Sequence, residues 1–211
     1  MAEGSDKYLT IAGKTSGSFY DRKSRFIAIA YPLNDESQIK KFLKELRKEY
    51  YDAVHHCYAW ELTGDTVQHR ANDDGEPSGS AGLSIYNLIK SRNLTNILIV
   101  VIRYYGGIKL GVPGLINAYR QASAEALENA EVIEKFLMKR FTIQFPYLLS
   151  NDVMQIAKKY ELNRVDERYN DEGSVMTFEI RASQLDACCE ALNGLQGLVF
   201  NETKTEENGL A

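Results

Sequence analysis

The sequence predicts an α+β protein of two domains, and three observations carry that prediction. Short apolar runs with strand character alternate with helical stripes through the first two thirds of the 211 residues. From about residue 138 the order becomes β-α-β-β-α-β, the ferredoxin-like split unit. Composition is that of an ordinary globular chain, 44% apolar and 26% charged. The boundaries that follow are 1–137 and 138–211.

Taken in order, residues 19–31 read as a strand, with Phe19 and then Phe26 to Ala30. Asn34 or Asp35 is placed to cap the next helix. In it Ile39, Phe42, Leu43 and Leu46 recur at helical spacing, while Lys40, Lys41, Lys44, Arg47 and Lys48 take a solvated face. Residues 53–62 form a strand with His55, Cys57 and Ala59 on one side and His56, Tyr58 and Trp60 on the other. Residues 63–80 are polar and read as one long loop. A helix bearing Ala81, Ile85, Leu88 and Ile89 follows, then a strand over 94–104, a glycine-rich loop, and a helix over 113–130.

Beyond the boundary, residues 138–145 alternate as a strand and Val153, Ile156, Ala157 and Tyr160 form a helix stripe. Strands over 162–169 and 174–181 join through Asn170 to Gly173. Leu185, Cys188 and Leu192 mark a second helix, and 197–203 a last strand, with 206–211 frayed.

Charge and cysteine usage narrow the function. Residues 1–137 hold 17 Lys+Arg against 17 Asp+Glu, and residues 138–211 hold 8 against 12. The whole excess of acid lies in the second domain, which suits a protein contact there better than RNA. Cys57, Cys188 and Cys189 lack metal-knuckle spacing. Neither a membrane-length apolar run nor a signal-like N-terminus is visible, so the expected setting is cytoplasmic, without a membrane partner.

Two segments carry the candidate chemistry. In RYYGGIKLGVPGL, residues 103–115, an apolar strand delivers Arg103 into a loop containing Gly106, Gly107, Lys109, Gly111 and Gly114, which opens a helix near Pro113. Two cations, glycines and a helix N-terminus together make a candidate seat for an anion or for nucleic acid. The glycine spacing fits neither the P-loop nor the dinucleotide fingerprint. In HRANDDGEPSGSAG, residues 69–82, Asp73, Asp74 and Glu76 crowd together and Ser78 or Ser80 can cap a helix. The weightier reading is a capped turn; a hard-cation site and a Ser78 nucleophile served by His55, His56 or His69 are the chemical alternatives. His55 and His56 face opposite ways, which makes zinc a poor fit, and no metal or cofactor is expected.

HHCYAWEL at 55–62, DDGEPSGSAG at 73–82 and RYYGGIKLGVPGLINAY at 103–119 together resemble the IMPACT family, including its bacterial YigZ-like branch. The resemblance spans residues 16–130, with 138–211 similar to the smaller C-terminal domain of bacterial members. It implies an N-terminal fold shared with a ribosomal-protein domain and domain IV of elongation factor G, and a C-terminal domain like that factor's domain V. It also implies a link to translation, with RNA, the ribosome or a translation factor as partner; no catalytic residue is established for the family. Pro113 stands where a small residue is expected and removes one N–H from any anion cradle.

Two functions follow. One is a translation-associated binding protein that uses the Arg103/Lys109 loop. The other is an enzyme acting on a phosphorylated or carboxylated small molecule, with Asp73, Asp74 or Glu76 as metal ligand or base and His55 as proton carrier.

Overall fold

The structure is a computed structural model that describes residues 6–64 and 66–201. The chain divides into two compact units, Tyr8–Lys135 and a second formed by Phe136 onward together with the described residues up to Lys7.

Seven β-strands and three α-helices lie in or at the edge of the first unit. They are β1 (Lys7–Ile11), β2 (Thr15–Asp21), β3 (Ser24–Pro32), α1 (Ser37–Glu49), β4 (His55–Thr63), β5 (Val67–Asn72), α2 (Gly82–Ser91), β6 (Ile97–Tyr104), α3 (Gly111–Glu128) and β7 (Val132–Phe136), with β8 opening the next unit. Five strands make an antiparallel sheet in the order β2-β3-β6-β4-β5, and β1 pairs with β7. Strand β6 is central and buried on both faces, which is why its sequence, ILIVVI, is apolar without alternation. One face packs Ile27, Ile29, Tyr58, Trp60, Leu98 and Val100 against Ile39 and Leu46 of α1. The other packs Phe26, Ala28, Cys57, Ala59, Ile99 and Val101 against α2 and α3. The opposed faces expected for 55–60 are those two cores.

Two expectations need correction. Residues 19–31 are not one strand: the chain folds back as the β2–β3 hairpin, with Arg22 at φ 43° and Lys23 at φ 67°. Such primed turns usually carry Asn or Gly, so Arg-Lys gave no turn signal. Residues 63–80 are not one loop, because β5 runs through them. Its residues Val67–Ala71 are exposed and polar in the main, so backbone pairing with β4 holds the strand without an apolar stripe to announce it. The pair β1 and β7 was likewise unexpected.

The second unit contains β8 (Met138–Phe145), α4 (Ser150–Lys159), β9 (Asn163–Asn170), β10 (Gly173–Arg181), α5 (Leu185–Asn193) and β11 (Val199–Asn201). Its sheet order is β11-β8-β10-β9, every pair antiparallel. Phe141, Ile143, Phe145, Met176, Phe178 and Ile180 pack on Val153, Ala157, Cys188 and Leu192. Asn170 Oδ1 accepts from the amides of Glu172 and Gly173 and so closes the β9–β10 turn. The last residues of the 197–203 strand and all of 206–211 lie outside the described residues. No helix among the described residues is long and apolar enough to cross a membrane.

Candidate functional site

Arg103 ends the apolar β6 strand, and its side chain turns inward. The residue is 5% exposed, and its Nη1 lies 2.5 Å from Glu76 Oε1. Its guanidinium stacks 5.4 Å from the centroids of Phe26 and Tyr105. The Tyr119 hydroxyl, delivered by α3, donates to the same Glu76 oxygen at 2.8 Å. Cys57 Sγ, on β4, is 3.3 Å from the Tyr119 hydroxyl and 3.0 Å from the Asp73 carbonyl. Its single proton serves one of these acceptors at a time. Burial pushes the Cys57 thiol up to about 12 and raises Tyr119 as well, so both are protonated donors at neutral pH. Glu76 thus accepts from a cation and a phenol inside the fold. Arg103 Nε is buried without a partner.

The acidic loop is used up by the fold. Asp73 Oδ1 accepts from the amides of Ala81 and Gly82, and Oδ2 from Gly79. It therefore caps α2, a role the sequence had offered to Ser78 or Ser80. Ser80 instead donates to the Pro77 carbonyl, and Ser78 is exposed. Asp74, held at φ 41°, pairs with Arg47 at 2.7 Å and accepts from the His56 amide at 2.7 Å. His55 Nδ1 lies 2.8 Å from the Asp74 carbonyl. A carbonyl only accepts, so Nδ1 carries the proton and Nε2 faces Glu76 Oε1, 3.9 Å away. His69 stacks on Tyr86 at 4.5 Å. Among the described residues, no hydrogen bond joins Ser78 to a histidine and no group of three His, Cys, Asp or Glu could hold a metal.

The glycine loop belongs to the surface. Gly106 sits so close to the β2–β3 turn that a Cβ there would lie 2.1 Å from the Lys23 carbonyl carbon, and its amide donates to Ser24 Oγ at 3.1 Å. Gly107 and Gly111 hold positive φ, at 83° and 70°. Gly114 brings the first turn of α3 against Leu110. Arg22 reaches across to the Lys109 carbonyl at 3.4 Å. The loop and the hairpin turn are therefore one surface. It presents Arg22, Lys23, Arg25 and Lys109, together with Tyr20, Tyr105 and Ile108, all exposed. Arg103 and Lys109 do not converge on a shared pocket, because the charge of Arg103 is spent on Glu76 and only Lys109 faces solvent. Sequence reasoning missed Arg22, Lys23 and Arg25. Their clustering in RKSR was visible, but a straight strand would have scattered them over two faces.

The Impact N-terminal domain model matches residues 22–127. The chain is similar to the IMPACT family member YvyE of Bacillus subtilis, 37% identical over 63% of this chain and 61% of that protein. It is 32% identical to an IMPACT family member of Haemophilus influenzae, over 70% of this chain and 73% of that one. A solved structure described as that of a hypothetical protein aligns over 95% of this chain and 99% of its own, at 27% identity and a TM-score of 0.71. The chain spans 61% of the length of YvyE and 63% of that of the E. coli member YigZ.

Proposed function

The chain belongs to the IMPACT family, in its YigZ-like bacterial branch, and from that premise we propose that it is a cytoplasmic, translation-associated regulatory protein that contacts RNA, in the ribosome or alone. The observation that carries this reading is the joined surface of the β2–β3 turn and the glycine loop. Arg22, Lys23, Arg25 and Lys109 stand free of the buried ion pair, and exposed Tyr20 and Tyr105 lie beside them. Cations hold phosphates and aromatic faces take bases. Gly106, Gly107, Gly111 and Gly114 set the loop's shape and Lys109 supplies its charge.

Within this reading the first unit corresponds to the ribosomal-protein-like fold shared with domain IV of elongation factor G. The second is ferredoxin-like, supported by its β11-β8-β10-β9 order. The acidic second domain is assigned to a protein partner. The enzyme reading gains nothing from the acidic loop, where Asp73 caps a helix, Asp74 holds Arg47 and Glu76 holds Arg103. The test is co-sedimentation with ribosomes and filter binding of labelled RNA at low salt. Wild type is expected to bind, and Lys109→Glu, at an exposed position, is expected to weaken binding several-fold. Equal binding by both proteins, or none by either, would sink the reading.

A further inference from the structure

One helix, α1, covers a face of a five-stranded sheet, and it does not reach the β2 edge. Cross-strand register identifies what is left open. Ser16 opposes Ile29, Ser18 opposes Ile27 and Tyr20 opposes Arg25 on the β2–β3 pair, and Arg25 in turn opposes Tyr104 on β6. Ile27 and Ile29 belong to the α1-side core. Ser16, Ser18, Tyr20, Arg25 and Tyr104 therefore share that face, since residues directly opposite each other project to the same side of a sheet. Tyr20, Arg25 and Tyr104 form a row across three strands, with the Arg25 guanidinium 5.8 Å from the Tyr20 ring centroid and Tyr20 63% exposed.

Beside this row lies a cleft of about 430 Å³, floored by Ser16, Ser18 and Ile27 and walled by Tyr50 and Tyr104. Its groups are fixed in advance. The Tyr104 hydroxyl donates to Asp52 at 2.8 Å. Glu125 Oε2 accepts from the Ser18 amide at 2.8 Å, and Asn129 Nδ2 donates to the Ser16 carbonyl at 2.9 Å. Those two side chains occupy backbone groups of the edge strand, so the cleft is not built for an added β-strand.

We infer that this aromatic-walled cleft and the Tyr20–Arg25–Tyr104 row bind an unpaired nucleotide, the base against the tyrosines and the phosphate on Arg25. The inference rests on the RNA reading of the adjoining turn and narrows it to single strands. Cleft size matches a ligand of nucleotide scale. Carboxylates at Glu125, in the cleft lining, and at Asp52, on the Tyr104 hydroxyl, repel phosphate. The backbone is thereby directed toward Arg25, Arg22 and Lys23, while Glu125 and Asn129 each keep a second polar atom for base amino and imide edges. A duplex buries its base faces and cannot stack here.

The test uses fluorescence anisotropy at low salt with a labelled single-stranded RNA of about ten nucleotides and a matched duplex. A mononucleotide titration followed at the Ser16 and Ser18 amides by NMR runs in parallel. Tyr20→Ala is chosen because the side chain is exposed, with Arg25→Gln as second variant. Each is expected to weaken the single strand roughly tenfold, and Tyr20→Ala, which removes no charge, is expected to leave duplex binding within twofold. If Lys109→Glu and Arg25→Gln weaken RNA while Tyr20→Ala does not, the nucleotide cleft is wrong and the RNA reading stands. Mononucleotide shifts lost in Tyr20→Ala, without RNA binding, would support the cleft and remove RNA. The absence of any shift or binding would overturn both.

Discussion

Glu76 is the residue whose environment most constrains the chemistry of the first unit. Its buried carboxylate faces Arg103, Tyr119 and, at longer range, His55. A buried ion pair adds little net stability over well-packed apolar residues, yet removing one partner strands the other charge at a cost of about 3–5 kcal/mol. Glu76→Ala is therefore expected to lower unfolding free energy in urea by about that amount, and Glu76→Leu with Arg103→Met to recover much of it. A single variant costing under about 1 kcal/mol would show that Arg103 is solvated after all. Arg103 stood out in the sequence as a cation closing an apolar strand. Its partner lies 27 residues back in a loop, and no periodicity links two such positions, so its inward role was not legible.

His56 gives a pH signature at the same scale. Burial, with Arg47 nearby, lowers its pKa below 6.5. A histidine depressed in the folded state binds fewer protons there than in the unfolded chain. Its contribution is complete above about pH 6.5 and is lost as pH falls toward the folded value. Stability of the wild type should decline between pH 7 and 5 more steeply than that of His56→Gln, as read from urea midpoints. Identical slopes would contradict the burial argument.

At the scale of elements, short polar devices hold the surface loops. Asp73 accepts three amides at the start of α2, and Asp73→Ala is expected to cost about 2 kcal/mol. Thermal melts that leave Asp73→Ala level with wild type would refute its capping role. Gly106 lets the glycine loop meet the β2–β3 turn, and Gly106→Ala, forced against Lys23, should cost about 1–3 kcal/mol. An unchanged midpoint would mean that the two loops are not packed as described. Helices α1 and α4 were readable because burial of one face imposes a period, and β6 because burial of both faces makes a continuous apolar run. The turn at Arg22 and Lys23 and the edge strand β5 were not, since backbone pairing alone holds them and leaves no apolar pattern.

For the whole molecule, segregation of charge and division into two units agree. Arg22, Lys23, Arg25 and Lys109 share one surface of the first unit, and the net acid lies past residue 137. The β-α-β-β-α-β order of the second unit was legible because β8, β10, α4 and α5 each bury one face and Asn170 to Gly173 mark the turn after β9. The glycine loop was legible as a feature, but its partner surface required the hairpin that the sequence concealed. The measurement that bears most directly on this account is the slope of log affinity for single-stranded RNA against log salt. For wild type and for Arg22→Glu/Lys23→Glu/Lys109→Glu, the account predicts a slope shallower by about 2 in the triple variant, as three lost phosphate contacts require. Equal slopes, or no binding by wild type at low salt, would contradict it.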